Sequence, residues 1–289
     1  MASWTLAVIG GSGLYDMPGL DGAWEHVATP WGDPVELYRA TLSGVPVLFL
    51  PRHGRGHKHS PTSINYRAAI DALKRAGATD ILSLSAVGSL KEAYAPGAFV
   101  IVDQYVDRTF AREKSYFGAG CVAHVSMADP VCARLSNIAV GAARKAGAPV
   151  FEGGTYLCME GPQFSTRAES HLYRSWGCDV IGMTNMPEAK LAREAELPYA
   201  SVAMVTDYDC WHEEAADVEV THILDVLHAN AGKARAALAY FAEALAATAR
   251  TPSPIDTCLD HALITAPDAR DPALLAKLDV VAGRVLGVR

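Results

Sequence analysis

Residues 199–205 read YASVAMV, and the chain passes at once into TDYDCW at 206–211. In a strand, apolar residues on both phases of the two-residue repeat need cover on both faces. Such a strand lies in the middle of a sheet between helices, and this stretch therefore decides the fold class. The runs TLAVIG (5–10), VPVLFL (45–50), DILSLS (80–85), FVIVDQ (99–104) and DVIGM (179–183) have the same character. Helical patterns separate them. SPTSINYRAAIDALKRAGA (60–78) predicts a helix with Ser60 as N-cap, Pro61 at its first position and a stop at Gly77. Apolar residues at 220, 223, 224, 227, 231, 234, 238, 241 and 245 predict a long amphipathic helix. The expected class is α/β, a mostly parallel or mixed sheet covered by helices on both sides. One domain is expected over 1–289, with about 250–289 forming a proline-containing connection and a terminal helix.

With 289 residues, half of them apolar, the chain can bury a large core. Its formal charge of −7 argues against a nucleic-acid surface, which needs clustered Lys and Arg to neutralise phosphates. The opening MASWTLAVIGG has no basic leader, and no segment approaches the roughly 18–20 apolar residues of a membrane span, so a cytoplasmic protein with no membrane partner is expected. Cys121, Cys132, Cys158, Cys178, Cys210 and Cys258 show no paired or zinc-like spacing and read as reduced thiols.

Several polar clusters follow apolar strands, where open α/β sheets bind ligands. VIGGSGLYD (8–16) brings glycine amides and the Ser12 hydroxyl to a strand exit, suited either to an anion or to a plain tight turn. Asp16 stands where a dinucleotide fingerprint needs its third glycine. LPRHGRGHKHSP (50–61) offers Arg52 as a fork for phosphate with His53 as a further donor; a solvated charged loop is the plainer alternative. As a metal set, His53, His57 and His59 lack a carboxylate and sit among positive charges. SLSAVGSL (83–90) ends a strand in hydroxyls and free amides. CMEGPQFSTRAES (158–170) places Phe164 either in the core or against a planar ligand, and Met183 and Thr184 precede a helix beginning at Pro187. Asp207 and Asp209 fit a metal, a turn or a purine. At a purine, a carboxylate near N7 suits an exocyclic amine better than an oxo group, which wants a donor.

In this order, GGSGL, RHG, INYRA, VDQYVDRT, SMADP, EGPQFSTRAES, GMTNMPE, AREAELPYAS and TDYDCW resemble the trimeric purine nucleoside phosphorylase family, most closely its 5′-methylthioadenosine phosphorylase branch, from about residue 5 to about 245. The resemblance implies one α/β domain with a central mixed, partly barrel-like sheet, assembled as a homotrimer. It implies a phosphate site of Ser12, Arg52, His53, Ser85, Ala86 and Thr184. Met183 would lie beneath the ribose, and Phe164, Ser165, Asp207 and Asp209 at the base. Val220, Ile223 and Leu224 would line the 5′ pocket, with His124 reaching in from an adjacent subunit. The implied reaction is phosphorolysis of 5′-methylthioadenosine with Asp207 assisting at N7, using a small-molecule nucleoside and phosphate as co-substrate, with no metal or cofactor. The rivals are a 6-oxopurine nucleoside or methylthioinosine phosphorylase, for which an amide at 207 is expected, a hydrolytic nucleosidase, and a non-catalytic nucleotide-binding module resting on GGSGL alone.

Overall fold

The computed structural model describes residues 3–11, 20–212 and 220–287. After β1 (Leu6–Gly10), β2 (Gly22–Thr29), β3 (Gly32–Leu42) and β4 (Val45–Pro51) form an antiparallel run, and α1 (Tyr66–Arg75) leads into β5 (Asp80–Ser89). Next come β6 (Phe99–Val102), β7 (Gln104–Asp107), α2 (Ala133–Lys145), β8 (Val150–Glu152) and β9 (Thr155–Cys158). The chain continues through α3 (Arg167–Ser175), β10 (Val180–Gly182), α4 (Asn185–Glu194), β11 (Tyr199–Asp207) and α5 (Val220–Ala246). Two short helices, α6 (Pro272–Lys277) and α7 (Gly283–Leu286), close it.

The eleven described strands form one mixed sheet. β5 is its hub, parallel to β1 on one edge and to β11 on the other, while its last two residues pair antiparallel with β10. Because β1, β4, β5 and β11 run the same way, their carboxyl ends open on one side.

The two-faced apolar pattern that singled out 199–205 is realised literally. Tyr199, Ala203 and Val205 enter one buried cluster, and Ala200, Val202 and Met204 the other. In β1, Ala7 and Ile9 divide from Leu6 and Val8 in the same way. Tyr66, Ile70 and Leu73 of α1, with Ala189 and Leu191 of α4, cover the first face; Leu135 and Ala139 of α2, with Leu238 and Phe241 of α5, cover the second. Each fully buried Val, Leu or Ile contributes roughly 1.5–3 kcal/mol, which offsets the chain entropy lost in ordering these strands.

Three expectations change. Helix α1 starts at Tyr66 rather than after Ser60, because the Asn65 side chain caps it by accepting from Ala68 N at 3.0 Å, and Ser60 closes a turn whose carbonyl accepts from Ser63 and Ile64. The run 99–104 splits at Asp103, where the chain leaves β11 and joins β9. The tail forms two short helices instead of one: Leu278, Val281 and Ala282 bury between them, and Arg75 reaches across to Asp279. β2 and β3, half-exposed and antiparallel, have no counterpart in the expected strands, nor have β8 and β9.

Candidate active site

The exits of β1 and β4 are joined where Arg52 N–H donates to Gly10 O at 3.1 Å. The Arg52 side chain then turns inward. Its Nε donates to Glu188 Oε2 at 2.7 Å, Nη2 to Glu188 Oε1 at 3.1 Å and to Ser83 Oγ at 2.6 Å, and Nη1 to Leu84 O at 3.2 Å. Burial works against a charged guanidinium here, but Glu188 outweighs it, so the Arg52 pKa stands above its ordinary value.

His53 follows with Nδ1 2.9 Å from His59 O. A carbonyl only accepts, so Nδ1 carries the hydrogen, and in the neutral ring Nε2 is the acceptor. Burial, reinforced by Arg52 and His57, lowers the His53 pKa to about 4, so the ring is neutral at pH 7. The donor expected of His53 is thus already bonded to His59, and the ring stacks on His57 at 4.1 Å between centroids.

Ser85 and Ala86 continue β5. The Ser85 hydroxyl is buried and has no hydrogen-bond partner among the described residues. Strand β10 runs antiparallel to β5, so beyond Gly182 the chain returns along it until Asn185 Nδ2 reaches Ser83 Oγ at 3.2 Å. Thr184, buried, lies on that return path beside the Ser85 end. Arg52 and Asn185 both donate to Ser83 Oγ, so Arg52 and the Thr184 segment meet the stretch of β5 that carries Ser85 and Ala86, with His53 following Arg52 in the chain. Ser12 lies outside the described residues. The backbone of α5 begins at Val220, but the side chains of Val220, Ile223 and Leu224 also lie outside them.

At the other end, Asp207 closes β11 opposite Gly88 of β5. Asp207 Oδ2 accepts from Thr206 Oγ1 at 2.8 Å, and Oδ1 from Asp209 N at 2.8 Å. Gly88 is required by space: a Cβ there would stand 2.9 Å from Asp207 Oδ1 and 3.3 Å from Asp209 Cβ. Asp209 takes a left-handed φ of 51° and is buried; burial raises its pKa, and the Asp207 charge adds to the effect. Ser165 reaches this end through its carbonyl, which accepts from Cys210 Sγ at 3.3 Å, with Phe164 beside it 41% exposed and so outside the core. Trp211 is structural, donating from Nε1 to Ser89 O at 2.7 Å. Ser85 and Gly88 are three residues apart on one strand, about 10 Å along its axis.

Met183 lies with its Sδ against Gly161, where φ is 67° and a Cβ would come within 2.5 Å of the sulfur. His124 is brought to neither end. Its side chain is exposed, and its backbone N–H donates to Ala262 O at 2.9 Å in the tail.

Four residues that hold this arrangement were not singled out from the sequence. Glu188, Ser83 and Asn185 fix Arg52 and the return strand. Arg112, from a loop without periodicity, donates to Met183 O at 2.6 Å, Met186 O at 2.7 Å, Glu160 O at 2.6 Å and Glu160 Oε1 at 3.1 Å, tying the segments on either side of the cleft. Glu160 also accepts from Thr62, Phe110 N and Ala111 N, and although burial opposes it, these bonds lower its pKa to about 2. Among the described residues no group of three or more His, Cys, Asp or Glu is placed to hold a metal.

Residues 5–247 match the phosphorylase superfamily. An S-methyl-5′-thioadenosine phosphorylase of Cereibacter sphaeroides is 64% identical over 285 residues, covering 97% of this chain and 98% of that protein. One of Bradyrhizobium diazoefficiens is 60% identical, covering 99% of each. The crystal structure of a methylthioadenosine phosphorylase from an antarctic soil metagenomic library superposes with a TM-score of 0.90 at 44% identity, covering 97% of this chain and 99% of the other. The Schistosoma mansoni methylthioadenosine phosphorylase in complex with adenine gives 0.80 at 32% identity, covering 99% of each.

Proposed function

The chain belongs to the phosphorylase superfamily, and on that premise we propose that it catalyses phosphorolysis of 5′-methylthioadenosine, giving adenine and 5-methylthio-α-D-ribose 1-phosphate for salvage. The observation that carries the substrate is the buried Asp207 carboxyl at the base end, opposite a separate polar end about 10 Å along β5.

In this reading phosphate is held by Arg52, His53, Ser85, Ala86 and Thr184, with Ser12 as a further ligand; the Ser85 hydroxyl, buried and without a partner among the described residues, is suited to donate to an oxyanion. It attacks C1′ as the bond to N9 breaks, and the ribosyl cation that develops is stabilised by the anion beside it. Asp207 meets the electron pair arriving on the base by sharing a proton with N7. Thr206 suits this role. Its hydroxyl lies 3.2 Å from Val87 O and 2.8 Å from Asp207 Oδ2, and its single hydrogen can go either way. It donates to an ionised Asp207, or turns to Val87 O and leaves the proton of a protonated Asp207 for N7. Asp209, Phe164 and Ser165 frame the base, Met183 underlies the sugar, and Val220, Ile223 and Leu224 line the methylthio pocket.

The same proposal includes a homotrimer, in which the exposed His124 serves a neighbouring copy's site, inorganic phosphate as the sole co-substrate with no cofactor, and residues 250–289 as part of one domain. The last is supported by Leu259, Ala262, Leu278 and Val281, which enter the same buried cluster as β1 and α1. Six free thiols support a cytoplasmic location, and no helix among the described residues is long and apolar enough to cross a membrane.

The test is adenine release from methylthioadenosine with and without phosphate, beside adenosine, methylthioinosine and inosine. Phosphate-dependent release, fastest from methylthioadenosine, is expected. Equal release without phosphate would identify a hydrolase instead.

A further inference from the structure

Glu188 is a carboxylate only 2% exposed, and no step of the proposed reaction uses it. It lies in the first turn of α4, where an acid usually complements the helix dipole at the surface; here it points inward. Its Oε2 accepts from Arg52 Nε, while Oε1 accepts from Arg52 Nη2 and, at 2.8 Å each, from Ser83 Oγ and Tyr199 OH. Arg52 from just past β4, Ser83 of β5 and Tyr199 of β11 thus converge on one carboxylate.

The consequence falls on Arg52. A guanidinium has five N–H hydrogens. Two go to Glu188, one to Ser83 and one to Leu84 O, leaving one Nη1 hydrogen without a partner among the described residues. An arginine left to itself offers its bidentate edge to an oxyanion. In this site that edge is already taken.

We propose that Glu188 is a positioning residue for the phosphate half of the site: by gripping the Nε–Nη2 edge of Arg52 it fixes the plane of the guanidinium, so that Nη1 alone meets the anion in one orientation. The inference rests on the phosphorolysis reading. Glu188 touches no substrate and acts through Arg52. In Glu188→Gln the amide sets a donor against Nε–H or Nη2–H, and the guanidinium must swing away.

The experiment measures KM for phosphate and KM for methylthioadenosine separately on the full chain. Glu188→Gln should raise the phosphate KM about tenfold or more, the size expected when a charge-assisted bidentate contact is lost, and leave the methylthioadenosine KM within about twofold. Glu188→Asp, which keeps both oxygens but draws them back by one methylene, should fall between Gln and wild type. In an Arg52→Lys background, which has no fork to hold, adding Glu188→Gln should shift the phosphate KM no further. Equal shifts in both KM values, an unchanged or lowered phosphate KM, or additivity with Arg52→Lys overturns the assignment. If Glu188→Gln does not fold, Tyr199→Phe decides. It removes one bond to Oε1 and should raise the phosphate KM about two- to fivefold with the nucleoside KM unmoved; no change there overturns it. A wild-type enzyme indifferent to phosphate refutes the phosphorolysis reading itself, a result distinct from phosphate dependence with an unmoved phosphate KM.

Discussion

The backbone N–H of Asp209 donates to Oδ1 of Asp207 at 2.8 Å, so the second acid of the TDYD segment orients the first. Asp207→Asn keeps the shape but replaces an acceptor oxygen by a donor amide. We expect kcat/KM for methylthioadenosine to fall about 100-fold or more, as when a general acid is removed, and preference to shift toward 6-oxo purines. The ratio of kcat/KM for methylthioadenosine to that for methylthioinosine measures it; an unchanged ratio removes Asp207 from base discrimination.

Gly88→Ala tests the floor beneath that carboxyl. The added methyl meets Asp207 Oδ1 at 2.9 Å and Ile181 Cγ2 at 3.1 Å, so Asp207 must move. A displacement of that order lowers kcat by roughly 10- to 100-fold. Kinetics beside a urea titration separate this from unfolding, since the fold should survive.

Arg112→Ala should act on stability. The side chain is 1% exposed and joins Glu160 to the Met183 and Met186 carbonyls, and its removal takes the counter-ion from a buried carboxylate and the donor from those carbonyls, at a cost of about 3–5 kcal/mol. Chemical denaturation measures the loss. A loss below about 1 kcal/mol, the level of an exposed ion pair, would show that the hub is dispensable.

Glu194 predicts a pH dependence. Burial raises its pKa to about 7 against the bonds from Ser115 and Tyr116 N, so the native chain keeps a proton that the unfolded chain releases near pH 4.5. Unfolding releases a proton in that window, so this group's contribution falls as pH rises from about 4.5 to 7 and is level above. His53, lowered to about 4, slopes the opposite way between about 4 and 6.5. The difference between wild type and Glu194→Gln therefore isolates Glu194: the wild type should lose ground to the variant between pH 5 and 7.5. A pH-independent difference would refute this.

What the sequence reveals depends on what surrounds each residue. β1, β4, β5 and β11 are legible because central strands are apolar on both faces. β2 and β3 are not: GAWEHVAT and GDPVELYRATL carry Glu25, His26 and Arg39 on an outer ribbon, and their half-exposed alternation is weak. Asp207 is conspicuous as an acid at the end of an apolar strand. Glu188 is invisible for the opposite reason, since a glutamate just inside a helix start is the commonest surface feature, and only the fold turns it onto Arg52. Arg112 has no local pattern, because its partners come from segments distant in sequence.

Strand β5 carries Ser85 and Gly88 on a single rigid backbone, held by β1, β11 and β10. The enzyme thereby owns a ruler. On the proposed reading, the spacing between the anion end and the floor of the base end is graduated in residues of one strand. Changes at the ends of the substrate, an amine for an oxo group or a thioether for a hydroxyl, test individual side chains. A change in the length between them, such as a methylene inserted between sugar and purine, tests the sheet itself, and no point substitution at either end can restore the match.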